Sequence, residues 1–329
     1  MRKTVCAGLL LAVATAFLPA GTVSGADRIV VADANSTHHL NLYVAFEKGF
    51  FAKRGLAVEI QQTSAGVAAV VGGTADIVFN CPTGVITPIA KGQNITIIAQ
   101  VKIPCTSVLV IPVDSPVKKP GDLKGLQLAG LSTTCCAVIA IRDALKSGYD
   151  TEFSLSALAP GAALAALEAN SVSGAILEEP FVAEALLLRD PSGKAKYKTI
   201  FDGHSDADGD GKTEANLAGE NPPCRTINAN RGFVDSRLPD AISFIAAVDE
   251  ADKLIRANPV APDIVAIARK YVPNVSEQAI IDSNPKLGFQ VALDTKGLIG
   301  YAQALVNQGT INNNPGDALF APQFKGLTW

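Results

Sequence analysis

The chain has 329 residues, a formal net charge of -3 and 6% aromatic side chains. Nucleic-acid binding normally needs a basic face with interleaved stacking rings, so that class is set aside. The length allows a substantial hydrophobic core, and six cysteines raise the question of disulfides or thiol chemistry from the outset.

The first segment, MRKTVCAGLLLAVATAFLPAGTVSGA, sets Arg2 and Lys3 before an apolar run and ends in small residues, Ser24 and Ala26, as before a signal-peptidase cut. From Val5 to Ala20 the run is shorter than the roughly 20 apolar residues of a bilayer span. Residues 1–26 are therefore expected to be a secretory signal, cleaved near Ala26. Cys6 goes with it, which leaves Cys81, Cys105, Cys135, Cys136 and Cys224, an odd number that cannot all be bridged. About 300 residues remain, two domains at roughly 100 to 200 residues each.

In chain order, DRIVVAD predicts a strand, and Ser36 or Thr37 caps a helix that carries Leu40, Tyr43, Val44 and Phe50 on one side, with Gly55 ending that region. AVEIQQ, TSAGVAAVVGG and TADIVFN come next as strand, helix and strand, then PTGVITPIAKG, NITIIAQV and TSVLVIP as helix, strand and strand. Such alternation implies an α/β protein with a mostly parallel sheet covered on both faces. DSPVKKPGDLKG breaks the pattern, which then restarts with strand LQLAGL, helices AVIAIRDALKSG and GAALAALEAN, strand SGAILEE and helix PFVAEALLL. KTIFDGHSDADGDGKTEANLAGENPPC predicts an acidic loop, RTINANRGFV a strand, and Leu238–Asn258, Ala261–Tyr271, Ser276–Ile281 and Thr295–Asn307 predict helices.

Four stretches carry a family resemblance: NLYVAFEKGFFAKRGLAVEI, GGTADIVF, VKKPGDLKGLQLAG and AILEEPFVAEAL. In this order and spacing they resemble the periplasmic solute-binding proteins of ABC importers, in the nitrate, sulfonate, taurine and bicarbonate group, to which thiamine-pyrimidine binding proteins are also similar. The resemblance implies a type II two-lobed α/β fold with two crossing strands, TSVLVIP outward and RTINANRGFV on the return. Lobe one would be 27–108 and 230–329, and lobe two 109–229 with an acidic insertion at 202–224. The family binds solute and hands it to a membrane permease and its ATPase, which implies a periplasmic, non-enzymatic role; a monomer is expected.

The physics of the fold marks the strand-to-helix loops as the binding region, because helix N-termini offer unpaired N–H groups and a positive dipole end there. Those loops hold Ser36, Thr37, His38 and His39; Ser64; Cys81 and Thr83; Cys105; Ser132, Thr133, Thr134, Cys135 and Cys136; and Glu179. The hydroxyls suit hydrogen bonds to an oxyanion or plain N-capping. Glu179 suits an amino or amide group, a cation, or its own helix dipole. With no arginine in these loops and only Lys102 near, a charged solute would rely on dipoles and neutral donors. Three readings of the cysteines stay open: buried core or disulfides, a soft-metal or metalloid site shared with His38 and His39, and a pocket of reactive thiols. The expected solute is a sulfonate- or nitrate-like anion or a small polar organic molecule. The alternatives are a soft-metal or metalloid carrier, or a pyrimidine-forming enzyme using histidine and the paired cysteines.

A separate loop, DADGDGKTE, sets Asp206, Asp208, Asp210, the Lys212 carbonyl and Glu214 at calcium-loop spacing, although position twelve is Leu217 instead of glutamate. Ca2+ is expected there as a structural ion, and no cofactor is required for solute binding.

Overall fold

The computed structural model describes residues 28–104, 108–202 and 223–329. The expected signal peptide, Cys105 and the calcium-loop residues Asp206, Asp208, Asp210, Lys212 and Glu214 lie outside the described residues. Among the described residues no helix is long and apolar enough to cross a membrane.

The first sheet is built from β1 (Arg28–Asp33), β2 (Ala57–Gln62), β3 (Ile77–Asn80), β4 (Thr96–Pro104), β10 (Pro223–Ala229) and β11 (Val291–Ala292), in the order β11-β4-β10-β3-β1-β2. The second contains β5 (Val108–Pro112), β6 (Gln127–Gly130), β7 (Ser154–Ala157), β8 (Gly174–Leu177) and β9 (Tyr197–Asp202), in the order β7-β6-β8-β5-β9. The expected two-lobed α/β architecture holds. In each lobe β1 to β3, or β6 to β8, pair in parallel, whereas β10 and β5 run antiparallel to both neighbours.

Central strands are near-continuous apolar runs because both faces are covered: all four residues of β8, GAIL, are buried. Helices α1 (Leu40–Glu47), α2 (Gly66–Val71) and α3 (Pro82–Ala90) come after the first three strands, and α4 (Cys136–Tyr149), α5 (Pro160–Glu168) and α6 (Phe181–Leu187) serve the second sheet. Along α4, Val138, Ile141 and Leu145 form a fully buried stripe while Lys146 is exposed, the spacing of a one-sided helix. Burying each such side chain stabilises the fold by roughly 1.5–3 kcal/mol. Gly130 lets this helix approach the sheet, since a Cβ there would meet Val138 Cγ2 at 3.1 Å and Leu155 Cδ1 at 3.2 Å. The C-terminal α7 (Arg231–Ser236), α8 (Leu238–Ala257), α9 (Pro262–Tyr271), α10 (Glu277–Leu287) and α11 (Thr295–Asn307) complete the α-helices among the described residues.

Three differences from the sequence expectations have physical reasons. β10 lies wholly in the first sheet, so lobe one resumes at Pro223 rather than at 230, and the return between lobes precedes RTINANRGFV. β7 and β9 carry weak sequence signals because they are edge strands; SLSA is half exposed with little apolar alternation, and KTIFD runs straight into the acidic segment. The helix expected to end at Ile281 continues to Leu287, because Ser283 and Asn284 are buried and Pro285 falls in its last turns.

Candidate functional site

The carboxyl ends of β1 and β3 in one lobe face those of β6 and β8 in the other, and the loops after them form the seam. The antiparallel β10 adds a contribution that a parallel strand does not: it starts where β3 ends, with Thr226 opposite Asn80. Cys224 and Arg225 thereby reach Cys81, which immediately precedes α3. Across the seam, Cys135 and Cys136 open α4 and Glu178 stands just after β8.

Arg225 binds both sides. Its Nη2 donates to Glu178 Oε2 at 2.9 Å, and its Nη1 donates to Cys81 Sγ at 2.9 Å, to the Cys224 carbonyl at 3.0 Å and to Cys224 Sγ at 3.3 Å. The Cys136 and Cys81 sulfurs lie 3.6 Å apart, and Cys135 Sγ is 3.7 Å from Glu178 Oε1. His38 Nδ1 is 3.5 Å from Glu178 Oε2 and 3.7 Å from Cys224 Sγ. Cys81, Cys135, Cys136 and Cys224 are all buried thiols rather than disulfides. The Nε atom of Arg225 and Nε2 of His38 are buried without a hydrogen-bond partner among the described residues.

Hydrogen bonds from Cys135 and Cys136, aided by the Arg225 charge, hold the Cys81 thiol well below the usual cysteine range. Burial raises the Glu178 carboxyl above its ordinary value, against the opposing pull of Arg225. Arg225 is held firmly protonated, because Cys81 and Glu178 outweigh the cost of its burial. Two sets of donor atoms lie close enough to share an ion: Cys81, Cys135, Cys136 and Glu178, and separately His38, Glu178 and Cys224.

The other loop residues divide by role. Ser36 accepts from the His38 amide at 3.2 Å and caps the short turn Thr37–His39. Thr37 and Thr83 join the lobes, donating to the Glu179 carbonyl at 3.2 Å and to the Thr134 carbonyl at 2.6 Å. Ser132 and Thr134 pair with each other at 3.2 Å at the surface, and Thr133 and Ser64 are exposed, so these four hydroxyls stand apart from the buried cluster. Glu179 accepts from the Ala183 amide at 3.1 Å within its own helix start and pairs with Lys286 of lobe one at 2.7 Å. His39 turns into lobe one, with its Nδ1 2.6 Å from Asp33 Oδ1. Sequence reasoning missed Arg225 and passed over Glu178 in favour of its neighbour. No arginine lies in the strand-to-helix loops themselves, but Arg225 enters the seam from the start of β10; the signal was that a strand returning from lobe two must begin at the seam.

The lobes are closed upon one another. Besides the threonines and the Arg225–Glu178 pair, Ser276 Oγ donates to Glu184 Oε2 at 2.6 Å and Gln308 Nε2 to Asp143 Oδ2 at 2.8 Å.

A family model described as NMT1/THI5 like matches residues 36–149. No curated protein matches the chain in sequence. Among solved structures, the periplasmic aliphatic sulphonate binding protein SsuA from Escherichia coli is similar with a TM-score of 0.68 at 15% identity, over 88% of this chain and 89% of that one. The alkanesulfonate-binding protein SsuA from Xanthomonas axonopodis, bound to MOPS, gives 0.67 at 15% identity over 88% and 95%. The ligand-binding component of an ABC-type import system from Staphylococcus aureus, with zinc bound, gives 0.70 at 14% identity over 91% and 97%. These likenesses show that the chain has the periplasmic binding protein fold, and they support the resemblance carried by the four sequence segments.

Proposed function

We propose that this protein is the periplasmic solute-binding component of an ABC importer, which captures a small solute by closing two lobes and presents it to a membrane permease and its ATPase. The observation that carries the reading is the seam: Arg225 of lobe one meets Glu178 of lobe two at 2.9 Å, and both are buried among side chains from each lobe. Such a constellation is complete only when the lobes are together. Binding that favours the closed form then shifts the population of lobes toward it. The fold likeness and the N-terminal signal expected from the sequence support the same reading, with the protein acting as a monomer.

Thermal unfolding against nitrate, bicarbonate, small sulfonates, amides and pyrimidines tests it. A true solute at one hundred times its Kd stabilises the protein by about 2.7 kcal/mol and is recovered unchanged. Chemical conversion of the bound solute over multiple turnovers overturns the reading. It would instead favour a pyrimidine-forming enzyme, for which the supporting observation is His39, oriented by Asp33 with its buried Nε2 unpartnered among the described residues.

A further inference from the structure

Three thiols and a carboxylate converge from opposite lobes. Cys81 ends a lobe-one loop at the start of α3, while Cys135, Cys136 and Glu178 belong to lobe two. Their four donor atoms all lie within 4.8 Å of one another. A tetrahedral ion with sulfur ligands near 2.3 Å and an oxygen near 2.1 Å sets its ligands about 3.8 Å apart for sulfur pairs and about 3.6 Å apart for sulfur and oxygen. The observed 3.6 Å between Cys81 and Cys136 and 3.7 Å between Cys135 and Glu178 are edges of that size.

The surroundings suit a bound cation. Glu178 uses Oε2 for Arg225 and directs Oε1 toward Cys135, so the arginine fixes the carboxylate from behind as outer-shell partners of metal ligands do. Thiolates exclude the hard ions Ca2+ and Mg2+, which take oxygen ligands, and select Zn2+ or Cu(I). A plain apolar core of cysteines would have no need to draw a carboxylate and an arginine into the same contact.

We propose that Cys81, Cys135, Cys136 and Glu178 form a binding site for a thiophilic d10 cation, Zn2+ or Cu(I), which bridges the two lobes. The proposal rests on the reading of the seam as a site that closes on its solute, and names that solute's class. Each sulfur–metal bond replaces a sulfur–hydrogen bond, so the ion enters as thiol protons leave to solvent, without oxidation or reduction.

The test uses the full mature chain, reduced and metal-free. Zn2+ and Cu(I) are titrated in competition with chromogenic chelators, Co2+ serves as a reporter of thiolate ligation by its charge-transfer absorption, and small-angle scattering tracks the lobes. The expected result is one ion per chain, a thiolate-to-cobalt band, and a loss of affinity of at least about 100-fold in Cys81→Ser and Cys136→Ser, with far less change in Ser64→Ala. Failure of the wild-type chain to bind either ion, or full affinity in folded Cys81→Ser, overturns the site; the wild-type measurement does so even where a variant fails to fold. If no ion binds while an anion or pyrimidine stabilises the protein, the metal inference falls and the importer reading stands. If one ion binds with the expected cysteine dependence but scattering shows no compaction, the metal site stands and closure around a solute falls.

Discussion

His38 and His39 are neighbours in sequence, yet they belong to two networks of opposite construction. His39 bonds Asp33, which also accepts from Tyr43 Oη at 2.7 Å and from the Asn35 amide at 3.0 Å, so that network comes entirely from a short stretch of lobe one. His38 instead approaches Cys224 and Glu178, in a network assembled from both lobes. The first is scaffold and persists whether the lobes are open or shut; the second has its lobe-one half, His38 with Cys224, at all times and is completed only on closure, when Glu178 joins it. Their carboxylates differ accordingly. Burial works against ionisation of Asp33, but His39, Tyr43 and Asn35 outweigh it and lower its pKa, whereas burial prevails at Glu178.

The largest expected effect is at the seam. Arg225→Met leaves Glu178 buried without its guanidinium, and breaking a buried pair from one side costs about 3–5 kcal/mol. Pairing it with Glu178→Met should restore most of that loss, because the uncompensated charge is gone. Urea unfolding of the four proteins in the cycle measures both. A single-variant cost below about 1 kcal/mol would mean that the lobes part readily and let water reach Glu178.

A third buried carboxylate separates location from partner number. Asp252 sits in lobe one like Asp33, accepts from Asn41 at 2.9 Å, and is pushed up to about 7 by burial. Its folded pKa therefore exceeds its unfolded value, so its contribution to stability is full below about pH 4 and is lost as pH rises through about 7. At most about 4 kcal/mol is at stake. Asp252→Asn should flatten stability between about pH 4 and 8, and an unchanged slope would assign the dependence to another group.

Asp33 titrates with the opposite sign. Its folded pKa is lowered, so its stabilisation is present above the unfolded value and fades as pH falls through the folded one. Asp33→Asn should cost about 2 kcal/mol near neutrality and weaken the acid limb of the stability curve. Because this network is confined to lobe one, seam binding should change little, as chelator competition on the variant will show.

The two regions were also unequally legible. The alternation of DRIVVAD, AVEIQQ and TADIVFN with short helices revealed an α/β lobe: the inner strands β1 and β3 are largely apolar because both faces are covered, while AVEIQQ alternates at the sheet edge. Cys81, Cys135 and Cys136 are legible because each stands between the end of a strand and the start of a helix. Arg225 is not, because it lies at the beginning of an antiparallel strand, and only the pairing of that strand with β3 brings it to the seam. Ser132 and Thr134 show the converse: sequence marks a helix entry, while the direction of a hydroxyl depends on packing that no local pattern encodes.

The smallest effect tests closure without touching any charge. Thr83 donates to the Thr134 carbonyl across the seam at 2.6 Å and is buried when the lobes are shut. Valine keeps its shape and removes the donor, leaving that carbonyl short of one hydrogen bond in the closed form only. The net value of such a bond is about 1 kcal/mol, so the closed population and the affinity it controls should fall roughly fivefold. Ser36→Ala is the matched control, since its bond to His38 lies within one lobe and its loss should lower stability without altering the ratio of closed to open. Scattering with and without bound Zn2+ distinguishes the two, and an equal response in both variants would mean that the inter-lobe threonine contacts do not govern closure.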